Sequence, residues 1–227
     1  MIAHRGASGL EPENSHAAFI AAGNRSYYGI ETDVHVTADG RYVVIHDDNT
    51  LRTTGVDMVV EESKYDDLKK LHLLDSDKEN VRTELCIPDL VDYIRICKRY
   101  GKTAVLELKN SMSEGHILGI IGEIRGVDYL SNVIFISFSL ENLIFLRKHL
   151  PNQTIQYLVT KAEDGLIDIL KANNFDVDIY HKHLSEEQVK LFKDNGIKVN
   201  VWTCNTEEVG GRMAELGVDY ITTNILE

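Results

Sequence analysis

A small set of residues in this chain has the types and spacings to form a single reactive site. They are His4-Arg5, Glu31-x-Asp33, His46 and Glu107-x-Lys109. Side chains two apart on an extended strand share a face, so Glu31 and Asp33 point together, as do Glu107 and Lys109. Three carboxylates with no thiolate among them suit a hard cation, Mg²⁺ or Ca²⁺, better than zinc. Two histidines near neutral pH are the ordinary equipment for a general base and a general acid. Phosphodiester cleavage uses such a set. It needs neutralisation of the non-bridging oxygens, a nucleophile deprotonated on one side and a leaving alkoxide protonated on the other. A histidine pair supplies about 10²–10⁴-fold, far short of what so slow a reaction requires. A divalent cation with Arg5 and Lys109 is suited to the remaining electrostatic share. An aldolase-type barrel with Lys109 as Schiff base, or an enolase-like lyase, could use some of these parts. Neither needs two histidines and an arginine around one cation.

The elements that position these groups are legible in outline. Residues 31–46 read as strand, turn and strand, with Asp39-Gly40 between two β-prone runs. A two-residue type I′ loop there pairs Ala38 with Arg41 and sets Asp33 opposite His46, with Cβ atoms roughly 5 Å apart. A three-residue loop would instead turn His46 away. Glu31, Asp33 and His35 take one face, and Ile30, Val34 and Val36 the other. His35 could touch the site or simply pack. Met1–Arg5 is a short strand that runs into the tight loop His4-Arg5-Gly6-Ala7-Ser8-Gly9, and Asn14 or Ser15 caps a helix over Ala17–Ala22. Residues 47–101, about fifty-five in number, show no strong strand signal. They read as a polar turn, a helix near Glu61–Leu71, a charged loop at Asp75–Glu84 and a helix at Pro88–Tyr100, together a small cap inserted within a single domain spanning 1–227.

From Lys102 strands and helices alternate. Strand-like runs at Thr103–Leu108, Val133–Phe138, Ile155–Val159, Val177–Tyr180, Val199–Trp202 and Tyr220–Thr222 join Ile2–His4 and Ile30–Val36 to give eight parallel candidates. Helices near Glu114–Ile124, Leu140–His149, Ala162–Lys171, Glu186–Asn195 and Glu207–Leu216 separate the later ones, with a capping box at Ser185-x-x-Gln188. Eight such units imply a closed (β/α)₈ barrel, with an open doubly wound sheet as the alternative. Barrel catalytic groups sit at the C-terminal ends of strands, where the reactive set falls. Trp202 is there too, as a wall against a substrate; Cys204 has no basic neighbours to activate it. Gly210-Gly211 inside the last helix costs about 2 kcal/mol against alanine with no explanation in the sequence.

The bulk properties narrow the class. A chain of 227 residues with 43% hydrophobic and 26% charged residues can bury a substantial core. Its charge of −12 argues against nucleic-acid binding. Three cysteines without a CxxC pair point to reduced thiols in a cytoplasmic setting. No apolar run approaches the roughly 18 residues of a membrane span. The acidic surface and apolar stretches of the 47–101 segment leave a homo-oligomer interface open.

His4-Arg5-Gly6-Ala7-Ser8, Pro12-Glu13-Asn14, Glu31-x-Asp33 and His46-Asp47 resemble the signature of the glycerophosphodiester phosphodiesterase family. The likeness continues through Leu51-Arg52-Thr53-Thr54-Gly55, Glu107-Leu108-Lys109, Ser137-Phe138 and Val199-Asn200-Val201-Trp202-Thr203 to Gly217-Val218-Asp219. It spans nearly the whole chain in order. The resemblance implies a TIM-type barrel, metal ligation by Glu31, Asp33 and Glu107, acid–base roles for His4 and His46, and phosphate contacts from Arg5 and Lys109. The implied reaction releases an alcohol such as choline or ethanolamine and glycerol 3-phosphate. Two other readings stay open: a lysophospholipase D-type reaction on lysophospholipids, and a non-catalytic binding barrel. Ser15 stands where threonine is commoner in the family, and Thr223-Asn224-Ile225 lacks the usual nearby proline.

Overall fold

Short runs of apolar residues, most of them followed by a helix, build a parallel sheet that closes on itself. The computed structural model describes residues 1–227. In chain order the elements are β1 (Ile2–Ala3), α1 (His16–Gly23), β2 (Gly29–Val36), β3 (Tyr42–Val44), α2 (Leu51–Thr54), α3 (Tyr65–Leu68), β4 (His72–Leu74), β5 (Val81–Cys86) and α4 (Leu90–Tyr100). Then follow β6 (Thr103–Leu108), α5 (Glu114–Gly126), β7 (Val133–Ser137), α6 (Leu140–His149), β8 (Ile155–Val159), α7 (Leu166–Asn173), β9 (Asp176–Tyr180), α8 (Glu186–Asp194), β10 (Val199–Trp202), α9 (Glu207–Glu215) and β11 (Tyr220–Thr223). Strands β1, β2 and β6–β11 pair in parallel, and β1 bonds both β2 and β11, so the eight form a closed (β/α)₈ barrel. Closure is completed at the C-terminus by Ile2↔Thr222 and Ala3↔Thr223. No helix is long and apolar enough to cross a membrane.

The pleat sorts the strand residues. Ile30 and Val34 of β2, with Ala104, Leu106 and Leu108 of β6, face outward into the large apolar layer between sheet and helices. Inward-facing Ile2, Val105, Ile134, Ile136 and Leu158 form a smaller cluster inside the barrel. The rest of the interior is polar, which is costly to bury unless it is used or paired. Helix starts follow sequence rules: Ser15, Asp89, Ser113, Ser139 and Thr206 cap with their side chains, and Ser185 and Gln188 form the expected capping box. At Gly210 a Cβ would lie 2.8 Å from the Leu226 side-chain tip, a contact that a turn of that side chain relieves.

Four local expectations need correction. The 31–46 hairpin has a three-residue loop, Ala38-Asp39-Gly40, closed by Thr37 and Arg41. A type I′ turn requires φ > 0 at both central residues, and here only Gly40 has it, at 76°. Thr37 Oγ1 donates to Asp39 and accepts from the Arg41 amide, which fixes the longer loop. The register therefore runs Val34↔Val44, and the Ile45 amide rather than His46 faces Asp33. The helix expected near Glu61–Leu71 is two short turns, Val60–Glu62 and α3. The loop expected at Asp75–Glu84 is the tip and second arm of the antiparallel pair β4–β5. Leu73 and Leu85 of that pair cover Val43, Ile45, Val60 and Leu68, and this second apolar cluster holds the segment down. Pro88 precedes the N-cap Asp89 rather than opening α4. Helix α4 itself packs on α1 and on barrel strands through Tyr93, Ile94 and Cys97.

Candidate active site

The site is built where β1, β2 and β6 end. Asp33 and Glu107 are register partners on adjacent strands, and Glu31 lies one pleat below Asp33 on the same face. Carboxylate oxygens of Glu31, Asp33 and Glu107 all lie within 4.8 Å of one another, and all three residues are buried. Burial together with repulsion from Asp33 pushes the Glu31 and Glu107 carboxyls up. Burial pushes Asp33 the same way, but the Lys109 and Arg5 charges outweigh it and hold that carboxyl below the usual range. Three buried carboxylates cannot all ionise so close together without added positive charge. The oxygen-only donor set fits a hard divalent cation, and this cluster could hold one.

Arg5 and Lys109 supply the fixed cations. Lys109 Nζ is 2.9 Å from Glu107 and 3.5 Å from Asp33. The Arg5 backbone N–H donates to Glu31 at 2.8 Å, while its guanidinium donates to Glu13 at 2.9 Å. The loop that delivers Arg5 depends on Gly6: its φ is +76°, and a Cβ there would lie 2.6 Å from the Ala18 backbone. Asn14, at φ 52°, donates to Asp33 at 2.8 Å and accepts from Thr32 at 2.6 Å, so this signature asparagine aims the carboxylate instead of capping α1.

Each histidine has one nitrogen anchored and one left for the cavity. His4 Nδ1 is 2.7 Å from Asn224 Oδ1, an oxygen that can only accept, so Nδ1 carries the proton and Nε2 is basic. Burial, then the neighbouring Arg5 charge, brings the His4 imidazolium down to about 4. His46 Nδ1 donates to Asp47 at 2.7 Å. Burial lowers His46, against the opposing pull of Asp33 and Asp47. Although the register differs from the expected one, His46 still reaches the cavity, because β3 ends at Val44 and the chain leaves the pleat there. His35 is fully buried, hydrogen-bonded to Glu61 and to the His46 carbonyl, and so braces the loop rather than facing the cavity.

The cavity, about 120 Å³, brings together His4, Arg5, Glu31, His46, Glu107, Lys109 and Trp202. Asp33 sits behind them, bridging Lys109 and Arg5. Ile136, Leu158, Phe138 and Trp202 make the apolar wall, with Phe138 edge-on to the Trp202 ring. His181 and His183 pack on Tyr180 and do not line the cavity. Sequence reasoning assigned no role to Glu13, Asp47, Arg52, Asn224 or Asp178. Arg52 donates to both oxygens of Asp47 (2.6 and 3.0 Å) and of Glu13 (2.6 and 2.7 Å), tying the His46 anchor to the Arg5 anchor. Glu13, Asp47 and Arg52 all lie inside signature fragments, which was the available signal.

Comparison with known proteins agrees with this geometry. The model of the "Glycerophosphoryl diester phosphodiesterase family" matches residues 4–227. A glycerophosphodiester phosphodiesterase of Caldanaerobacter subterraneus is 31% identical over 99% of this chain and 93% of its own. Among solved structures, a phosphodiesterase of Oleispira antarctica, in complex with its product sn-glycerol 3-phosphate, superposes with TM-score 0.85 at 28% identity, covering 98% of this chain and 92% of that one. A glycerophosphodiester phosphodiesterase of Parabacteroides distasonis gives TM-score 0.82 at 27% identity over 98% and 91% of the two chains. The chain belongs to the glycerophosphoryl diester phosphodiesterase family.

Proposed function

We propose that this protein hydrolyses small glycerophosphodiesters, such as glycerophosphocholine or glycerophosphoethanolamine, to an alcohol and glycerol 3-phosphate. The observation that carries the reading is the convergence of two differently anchored histidines on one cavity with three carboxylates, Arg5 and Lys109. Glu31, Asp33 and Glu107 would hold Mg²⁺ or Ca²⁺, which supplies Lewis-acid stabilisation of charge building on the phosphoryl oxygens. Arg5 and Lys109 bind and orient the same oxygens from fixed positions, so no reorganisation is needed as charge develops. His4, held neutral by burial and Arg5, takes the proton of the nucleophile at Nε2. That nucleophile is either water or a glycerol hydroxyl closing a cyclic phosphate, which a water molecule then opens to glycerol 3-phosphate with the proton transfers reversed. His46, lowered by burial against the opposing pull of the Asp33 and Asp47 carboxylates, protonates the alkoxide as its bond to phosphorus breaks.

A coupled glycerol 3-phosphate assay over a panel of glycerophosphodiesters, with Mg²⁺, Ca²⁺ or EDTA, tests this. We expect turnover that chelation removes and added metal restores, and loss of at least about 10²-fold in His4→Ala or His46→Ala with the fold intact. Near-full activity in EDTA would sink the metal-dependent reading. A lysophospholipase D-type reaction is the second reading. It is favoured by a cleft that adjoins the cavity at Phe138 and Leu158 and continues along Tyr157, Val159, Leu166 and Ile169. Lysophosphatidylcholine in the same panel separates the two, and binding of glycerophosphocholine without turnover would mark a non-catalytic barrel.

A further inference from the structure

The barrel interior holds a polar ladder that the chemistry above does not use. On β8, β9, β10 and β11 the inward residues Gln156, Asp178, Asn200 and Thr222 are all buried. Asn200 organises them: its Nδ2 donates to Gln156 Oε1 and to Asp178 Oδ2, both at 3.1 Å, and its Oδ1 accepts from Thr222 at 3.2 Å. This fixes the Asp178 carboxylate and leaves Oδ1 without a partner. Asp178 is 2% exposed, yet it lines the cavity beside Trp202. A buried carboxylate oxygen with no hydrogen bond is a costly arrangement unless a ligand supplies the donor. Gln156 Nε2 is also unpartnered, but Gln156 does not line the cavity.

The surroundings say which donor suits Oδ1. Burial, then the Glu107 charge, pushes the Asp178 carboxyl well up, so its ligand is chosen by position: Arg5 and Lys109 draw a phosphoryl group to another wall. The candidate cation ligands Glu31, Asp33 and Glu107 are on β2 and β6, whereas Asp178 is on β9. The neighbours on its own side are Ile136, Leu158 and Trp202, which suit the C–H faces of a short carbon chain. Asp178 is in register with Asn200, one pleat below Trp202, so it lies deeper than half-exposed Phe138 at the mouth. A group that is small, carbon-based and a hydroxyl donor fits there. We propose that Asp178 is a specificity-determining residue that accepts a hydrogen bond from a hydroxyl of the substrate's glycerol moiety, a role that rests on the glycerophosphodiesterase reading of this site. The glycerol is thereby seated deep, and the departing alcohol is left toward the mouth.

The test compares two ligands that differ only in hydroxyls, glycerol 3-phosphate and n-propyl phosphate, as inhibitors or by calorimetry with Mg²⁺ present. Wild-type protein should favour glycerol 3-phosphate by about tenfold, the size expected when the ligand without hydroxyls leaves a buried polar group unpaired. Asp178→Ala and the near-isosteric Asp178→Leu should bind the two ligands within about threefold of each other while n-propyl phosphate binding holds. Equal binding by wild-type protein overturns the inference even if neither variant folds. So does a variant that weakens both ligands alike, since that marks a purely structural role. Wild-type protein that turns over no glycerophosphodiester overturns the functional reading, whereas turnover without hydroxyl discrimination overturns only the role of Asp178.

Discussion

Removing Arg52 should impair His46 from a distance. Arg52 makes two charged hydrogen bonds to Asp47 and two to Glu13, and Asp47 in turn anchors His46 Nδ1. Charged hydrogen bonds contribute about 1.5–3 kcal/mol each when buried. The Arg52 side chain is 41% exposed, so solvent screening reduces the whole set to about 1–2 kcal/mol of stability. The catalytic cost is larger, because an unfastened Asp47 lets the imidazole wander, and misplacement by about 1 Å can cost about 10²-fold. Arg52→Ala should therefore lower kcat for a glycerophosphodiester ten- to hundredfold while moving the urea midpoint modestly. Arg52→Lys should rescue little, since an ammonium cannot bridge two carboxylates as the planar fork does. The sign of the pH effect follows from the charges. Arg52 neutralises Asp47 and holds its carboxyl far below the usual range. Without Arg52 the Asp47 charge acts unopposed on His46, so the His46 imidazolium is stabilised and the limb of the pH–rate profile that it governs moves to higher pH. An Arg52→Ala enzyme within about twofold of wild type, with that limb unmoved, would refute the coupling.

Three further outcomes are expected. Burial raises Glu13, but Arg52 and Arg5 outweigh it and hold the carboxyl at about 2 against 4.5 unperturbed. A depressed carboxyl contributes stability that is present above its unfolded value and lost as pH falls between about 4.5 and 2. The stability advantage of wild type over Glu13→Gln, about 2 kcal/mol after screening, should shrink across that window in urea titrations; a constant difference would contradict the pairing. At Gly211 a Cβ would meet nothing within 4 Å, so Gly211→Ala should raise unfolding stability by about 0.5–1 kcal/mol in calorimetry. One residue inserted after Gly40 should cut kcat/KM at least about tenfold with little change in melting temperature, because it shifts the strand that delivers His46; loss of fold before activity would contradict this.

Much of the barrel is legible in the chain because its signals are local. β6, β8 and β10 coincide with the apolar runs Thr103–Leu108, Ile155–Val159 and Val199–Trp202, and the start of α8 follows from the Ser185 capping box. Such signals need only neighbouring residues. The β4–β5 pair was not legible. Its arms are half-polar, and they form strands only because Leu73 and Leu85 find Val43 and Ile45, residues distant in sequence. The hairpin loop failed for a smaller reason: Asp-Gly permits two turn lengths, and the Thr37 side chain chooses the longer.

By itself, then, the sequence determined which residue types stand at strand ends, Glu31, Asp33, Glu107, His4, Arg5 and Lys109, whereas His46 reaches the rim by a register that the sequence misplaced. A period of two and a strand–helix alternation are enough to place them on one rim. Only the tertiary structure decided how they are held. Asn224 reaches His4 from the far end of the chain, and Arg52 crosses from the segment after the hairpin to fasten Asp47 and Glu13. Asp178 keeps one carboxylate oxygen free because Asn200 on the next strand takes the other. Those contacts depend on barrel closure, which brings residues remote in sequence within hydrogen-bonding distance. No local pattern encodes them.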